Sequence, residues 1–362
     1  MSETTNPPFQ MERLGMIMEG DPSNPDEALG VLNPGCCRDR NGDLLLFPRI
    51  VAAGNYSRIG IARVVCDADG TPVGVERQGY ALEPETGYER NAHTAGVEDP
   101  RVTFVPAIDS YVMAYAAYGP LGPRVALAIS KDAYAWQRLG LAKFAHAAEY
   151  RTDFDLYVNK DAYLFPDPVH DPQGRPALAM IHRPDYNVNW WREGGFHVQP
   201  SGIAETRPSM WISYVPLDVV QTDPRNLCFW HDHQLLATPR YAWESLKIGG
   251  GTPPVLTPLG WITIIHGVDG QMMAGVDHQP RVRYTAGVLV LDRDDPRNVR
   301  YRSSTPILAP DTAEEQRGVV DNVVFPTAVD LRANGQIDVF YGMADARIGV
   351  ARLHVPAALP QA

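Results

Sequence analysis

Short apolar runs, each closed by an Asp/Asn/Gly turn, follow one another along most of the chain. The unit is a polar residue, an apolar run, a turn, a second apolar run and a polar or aromatic residue at its end. Runs of this length with frequent β-branched residues predict strands, and the tight turns predict hairpins. The first copy is Asn33-Pro-Gly-Cys-Cys37, the turn Asp39 to Gly42, then Leu44 to Arg49, followed by Arg58 to Val65 and the turn Asp67 to Gly70. The second runs from Asp99 through Val105, Tyr111 to Tyr115 and Arg124 to Ser130. The third holds Asn159 to Pro166, the turn Asp171 to Gly174, and Ala177 to Arg183. The fourth holds Gly251 to Leu256, Trp261 to His266 and Tyr284 to Leu291. The fifth holds Asp321 to Pro326, Ile337 to Tyr341 and Arg347 to Leu353.

Five degenerate copies of a multi-strand unit predict an all-β chain folded as a five-bladed β-propeller. A β-sandwich also explains many short strands, but not a polar residue recurring at one place in each unit. The predicted organisation is a loosely ordered N-terminal arm over 1–25 and one propeller domain over 26–358, with an inserted loop at 184–210. In a propeller the innermost strands line a central channel. Asn33, Asp99, Lys160, Thr252 and Asp321 are then expected at one mouth, with Arg49, Tyr115, Arg183, His266 and Tyr341 at the ends of the neighbouring strands.

Composition narrows the picture. The 32 prolines and 31 glycines in 362 residues argue against a helical protein. A net charge of −11 argues against non-specific nucleic-acid binding. No apolar run approaches the roughly 18 residues that span a bilayer. The start of the chain lacks a basic segment followed by an apolar one, so no signal peptide is expected. The four cysteines, Cys36, Cys37, Cys66 and Cys228, form no CxxC pair and read as buried thiols. A cytoplasmic location is expected, with no membrane partner.

The stretch with most chemistry is Glu98-Asp99-Pro100-Arg101. Pro100 biases Asp99 toward extended backbone, and strand alternation turns Glu98 to the other side. Around this acid the repeats gather Lys160, Arg183, Lys247 and His266, a candidate oxyanion site in an acidic protein. Gly249-Gly-Gly251 is expected to add backbone donors. Inverting hydrolysis normally uses two carboxylates, whereas phosphorolysis needs only the acid, because phosphate is itself the nucleophile. One dominant acid beside a basic cluster leans toward phosphorolysis. Asp321 keeps an inverting hydrolase open, and a non-catalytic glycan-binding propeller is the third reading.

Several segments together resemble glycoside hydrolase family 130: Gly96 to Arg101, Lys160 to Pro166, His182-Arg-Pro184, Lys247 to Pro254 and Asp321 to Pro326. The resemblance runs from about Leu32 to Leu353. It implies a five-bladed propeller and inverting phosphorolysis of a β-mannoside to α-mannose 1-phosphate and a shortened acceptor. Inorganic phosphate is then the co-substrate, with no other cofactor and no metal. By the same resemblance Asp99 is the general acid, acting through the mannose 3-hydroxyl. Lys160, Arg183, Lys247 and His266 would hold phosphate, and Asn33, Arg49, Arg58 and Asp321 would surround the mannosyl unit. Lys160 stands where many members carry Arg. Hydrolase members of the family lose much of the phosphate set, so its retention favours the phosphorylase over a β-mannosidase.

The 184–210 segment departs from the family pattern. Its Trp190-Trp191 pair suits either stacking on an acceptor sugar or covering the propeller at a contact between copies in a homo-oligomer. His231-Asp-His233 has metal-like spacing without a third ligand and reads as a solvated loop.

Overall fold

The computed structural model describes residues 7–90, 95–186, 199–273 and 281–360. Its strands make five blades around a channel in the order of the repeats, the first two joined into one sheet by a short parallel pairing of Tyr56 and Ser57 with Ala95 and Gly96. From the inside outward, blade I is Gly30–Arg38, Leu44–Ala52, Tyr56–Cys66 and Pro72–Leu82. Blade II is Ala95–Val105, Ser110–Gly119, Gly122–Ser130 and Gln137–Leu141. Blade III is Val158–Leu164, Pro176–Asp185, Met210–Pro216 and Phe229–Ala237. Blade IV is Lys247–Gly250, Gly260–Gly270, Val282–Leu291 and Val299–Arg302. Blade V is Val324–Leu331, Ile337–Met343 and Arg347–His354, completed by Gln10–Glu19.

That last strand corrects the expected loose arm. From Gln10 onward the N-terminal segment pairs antiparallel with Arg347–His354, so the chain closes its ring by adding its first strand to its last blade. Its outward positions are polar, which is why its sequence did not read as a core strand. At the insertion, Pro184 and Asp185 still belong to a blade III strand and Met210 begins the next. Trp190 and Trp191 lie outside the described residues.

The blades pack face to face, which explains the unbroken apolar runs. In Leu44-Leu-Leu-Phe47, alternation sends Leu45 and Phe47 to the blade I–II interface and Leu44 and Leu46 to the blade V–I interface. Each of the five interfaces has its own apolar cluster, including the one between Leu46 of blade I and Phe340 and Val350 of blade V. The turns form as their residues require. The Asp39 carboxylate accepts the amides of Asn41 and Asp43 at 2.8 and 2.9 Å, and Gly42 takes a φ of 91°. Asp171 to Gly174 repeats that geometry.

A second repeat was not visible in the sequence. In four blades a short turn before the innermost strand buries a glutamate, which pairs with an arginine on the outermost strand. The pairs are Glu27–Arg77, Glu89–Arg138, Glu244–Arg302 and Glu315–Arg13, at 2.6 to 2.9 Å. Glu315 also accepts from Tyr341 Oη and from the amides of Asp311 and Thr312. The Glu315–Arg13 pair therefore fastens the ring where the two ends of the chain meet.

Candidate functional site

The innermost strands of blades I, II and III share an irregularity. Pairing with the neighbouring strand slips between Leu32 and Gly35, between Glu98 and Arg101, and between Lys160 and Tyr163. Each slip is a bulge holding one residue in the left-handed region: Asn33 at φ 43°, Asp99 at 48° and Asp161 at 57°. Asn and Asp tolerate that conformation better than other L residues, and bulges re-aim side chains out of the pleat. Two expectations change. Asp99 is left-handed rather than extended, because the bulge overrides the bias from Pro100. The blade III counterpart of Asn33 and Asp99 is Asp161, one residue beyond the expected Lys160.

The bulge also breaks the alternation that would have turned Glu98 away. Both carboxylates meet Arg49, whose Nη2 donates to Glu98 Oε1 at 2.8 Å and whose Nη1 donates to Asp99 Oδ1 at 3.2 Å. Asn33 Nδ2 donates to the same Asp99 oxygen at 2.9 Å, and Lys160 Nζ stands 3.7 Å from Oδ2. The buried Arg101 donates to the Asp99 carbonyl at 2.8 Å and to Gly251 O at 3.1 Å, tying blade II to blade IV beneath the acid. Burial alone would raise the Asp99 carboxyl, but Arg49, Lys160 and Arg101 outweigh it and hold it at about 2. Lys160 is raised: burial opposes its charge, but Asp99, Asp161 and Glu98 surround it.

On the blade III–IV side, Asp161 organises the cations. Arg183 Nε donates to Asp161 Oδ2 at 2.6 Å; His266 Nε2 lies 3.6 Å from that oxygen and Arg101 Nη2 3.8 Å from Oδ1. Burial opposes the Asp161 charge, but Arg183 and the neighbouring cations hold its carboxyl far below the usual range. His266 goes the other way. Burial, reinforced by Arg183 and Lys247, outweighs Asp161 and lowers it to about 3. It is therefore a neutral imidazole at physiological pH, not the cation its position suggested. Its ring lies against Phe325, centroids 4.6 Å apart. Lys247 Nζ sits 5.2 Å from the Tyr284 ring centre.

Most of these groups line one open-mouthed, polar cavity at the channel entrance. Seven of the nine site residues expected from the sequence meet there: Asn33, Arg49, Asp99, Lys160, Arg183, Lys247 and His266. The other two are placed elsewhere. Arg58 pairs with Asp26 at 3.1 Å and Glu83 at 3.2 Å on blade I's flank. Asp321 accepts from the Gly318 amide at 3.3 Å and is not part of the lining. Three more residues expected at the mouth are occupied in structural bonds: Thr252 with the Ile264 amide, Tyr115 with Glu89 and Tyr341 with Glu315. Gly249 and Gly250 belong to the blade IV ladder, paired with His266 and Ile265, rather than to a turn that could form an anion nest. A side chain at Gly249 would meet the His266 ring at 2.4 Å and Asp161 at 2.7 Å, so glycine there permits close approach.

Five lining residues escaped the sequence reading: Asp161, Tyr284, Val323, Phe325 and Asp345. Asp161 is visible only through the bulge register. Asp345 sits at φ 50° in the last hairpin turn of blade V. Its carboxyl is raised to about 6, by burial above all and by Asp99 and Glu98, against Arg49 and Lys160. Three carboxylates share two cations here, and Asp345 is the one left least compensated. Among the described residues no cluster of three metal-ligating side chains exists. His233 is buried and bonded to Ser213 and to the Ala145 carbonyl, so the His231–His233 spacing is not a metal site. No helix among them is long and apolar enough to cross a membrane.

The chain is similar to several known proteins. The family model described as β-1,4-mannooligosaccharide phosphorylase, of glycoside hydrolase family 130, matches residues 9–359. A 1,2-β-oligomannan phosphorylase from Thermoanaerobacter sp. strain X514 is 29% identical over 296 residues, covering 78% of this chain and 79% of that protein. A β-1,4-mannooligosaccharide phosphorylase from Ruminococcus albus is 34% identical over 227 residues, covering 61% and 56%. The solved β-1,2-mannobiose phosphorylase of Listeria innocua, in complex with β-1,2-mannobiose, superposes with a TM-score of 0.58 at 22% identity. That superposition covers 97% of this chain and 92% of that one.

Proposed function

This chain belongs to glycoside hydrolase family 130, and from that premise we propose that it is an inverting β-mannoside phosphorylase. It would transfer a mannosyl unit from a small oligosaccharide to inorganic phosphate, giving α-mannose 1-phosphate and a shortened acceptor. The observation that carries the reading is the convergence of Arg49, Lys160, Arg183 and Lys247 on the cavity that holds Asp99.

The cations divide by position. Lys160, Arg183 and Lys247 hold phosphate, Arg183 as a fork already oriented by Asp161 and Lys160 as a point charge. Neutral His266 contributes a hydrogen bond rather than charge. Asn33, Arg49 and Asp345 face the mannosyl hydroxyls. Asn33 already holds Asp99 through its Nδ2, so it fixes the acid beside the sugar. Arg58 and Asp321, first grouped with the mannosyl unit, would act at most from outside the cavity.

In the reaction a phosphate oxygen forms a bond to the anomeric carbon as the glycosidic carbon–oxygen bond breaks on the opposite face. Asp99 supplies the proton that the leaving oxygen takes up, relayed through the mannosyl 3-hydroxyl. The proton carried by hydrogen phosphate then returns to Asp99 from the product, so charge and protons balance. With its carboxyl at about 2 in the absence of ligands, Asp99 must gain a proton on binding. An incoming phosphate dianion, placed among the cations that hold Asp99 ionised, raises its pKa in the required direction.

Inorganic phosphate and a small oligosaccharide are the implied partners. The cysteines are all unpaired, which fits a reducing cytoplasm. Incubation with β-1,2- and β-1,4-mannobiose, with and without phosphate, tests the reading by ³¹P NMR. The expected product is α-mannose 1-phosphate, formed only with phosphate. Free mannose released at the same rate without phosphate would instead identify a hydrolase.

A further inference from the structure

Among the described residues, blade III shows no buried glutamate–arginine tie like those of the other four blades. In its place one polar line crosses the whole blade, with one residue from each strand. Asn159 Nδ2 lies 2.9 Å from His182 Nδ1, and His182 Nε2 lies 2.8 Å from Ser213 Oγ. Ser213 Oγ lies 2.8 Å from His233 Nδ1, and His233 Nε2 lies 2.9 Å from the Ala145 carbonyl. All four side chains are buried, at 2%, 0%, 0% and 5% exposure.

His182 Nδ1 also lies 3.2 Å from Asn159 Oδ1, and the Ala145 carbonyl at the far end decides which way the protons run. A carbonyl only accepts, so His233 must carry its proton on Nε2 and leave Nδ1 as an acceptor. Ser213 then donates to His233 and accepts from His182 Nε2–H. His182 Nδ1 in turn accepts from the Asn159 amide. Both rings and Ser213 are then satisfied with the imidazoles neutral, and burial lowers the pKa of both rings. A fully satisfied buried network fixes geometry more tightly than apolar packing does.

The inner end of the line meets the cavity through the backbone. Asn159 and His182 directly precede Lys160 and Arg183, which face each other in the strand register. Alternation puts His182 and Ser213 on the blade II side, with the cluster of Trp211 and Met180, and Arg183 on the opposite side with Asp161. Lys160 follows Asn159 directly and leads into the bulge, where the ladder gives no support.

We propose that the Asn159–His182–Ser213–His233 line is a positioning device that holds the bulged strand of blade III so that Lys160 and Arg183 meet phosphate in one geometry. This rests on the phosphorylase reading for its ligand but not for its test. Ser213→Ala removes the central hydroxyl without touching the cavity, and Ser213→Thr restores it. Phosphate affinity is measured by calorimetry, alongside phosphate KM, mannoside KM, kcat and histidine ¹⁵N NMR. In the wild type both histidines are expected as Nε2–H tautomers. In Ser213→Ala the His182 tautomer becomes mixed and phosphate Kd and KM rise about 5- to 20-fold. Mannoside KM and kcat at saturating phosphate stay within about twofold, and Ser213→Thr returns phosphate affinity toward wild type.

Unchanged phosphate affinity in Ser213→Ala overturns the proposal. So does a drop in kcat alone, which would report a smaller folded fraction. If the wild type binds phosphate but does not cleave mannosides, the functional reading fails while the affinity ratio still decides this one. A wild type that does not bind phosphate at all overturns both.

Discussion

Replacing Asp345 by asparagine should stabilise the protein while damaging its function. Asp345 shares Arg49 and Lys160 with Asp99 and Glu98, and its carboxyl is raised from the ordinary 3.8 to about 6. A raised folded-state value means that the protonated form suits the fold and the charged form opposes it. Stability from this group is complete below pH 3.8 and is lost as pH rises through 6. At about 1.4 kcal/mol per pH unit the loss is up to about 3 kcal/mol, reduced by the solvent that reaches this half-buried side chain. Asparagine has nearly the same shape and cannot ionise. Asp345→Asn should therefore exceed the wild type at pH 7.5 by about 1–3 kcal/mol in urea denaturation, and the gap should close between pH 6 and pH 4. Mannoside kcat/KM should fall about 10- to 100-fold, the worth of a hydrogen bond to a charged group. A variant less stable than wild type at pH 7.5, or a gap that does not change with pH, would refute the reasoning.

Asp99→Asn should reduce phosphorolysis by about 10²–10⁴-fold with circular dichroism and gel-filtration behaviour unchanged; near-normal turnover would remove Asp99 from the mechanism. Asp161→Asn leaves the buried Arg183 without its counter-charge, so denaturation should show a loss of about 3–5 kcal/mol and phosphate KM should rise at least several-fold. Wild-type values for both would mean that Asp161 organises nothing. Arg13→Ala opens the tie between first and last strands. Stability should fall by about 1–3 kcal/mol, read by denaturation, while the KM values for phosphate and mannoside stay put.

What could be read from the residues was the periodic part. Each blade repeats an apolar run, an Asp/Gly turn and a second run because each must bury both faces against its neighbours. The hairpins at Asp39 to Gly42 and Asp171 to Gly174 formed where their residues predicted them. The inner-strand positions of Asn33 and Asp99 followed from the same repeat, and so did the gathering of Lys160, Arg183, Lys247 and His266.

What needed three dimensions was everything that departs from a period. A bulge adds one residue and shifts every later side chain, so Asp161 rather than Lys160 became the partner of Asn33 and Asp99, and Glu98 stayed beside Arg49. Charge state was equally hidden. His266 is neutral because burial and its cationic neighbours outweigh Asp161, and Asp345 is poised near 6 because three carboxylates compete for two cations. Arg58 carries the right chemistry but pairs with Asp26 and Glu83, and Asp321 is not among the residues that line the cavity. Local pattern sets which residues form strands and turns, because backbone propensity and two-sided burial act residue by residue. Which side chains share a cavity, and in what protonation state, depends on long-range geometry and summed electrostatics.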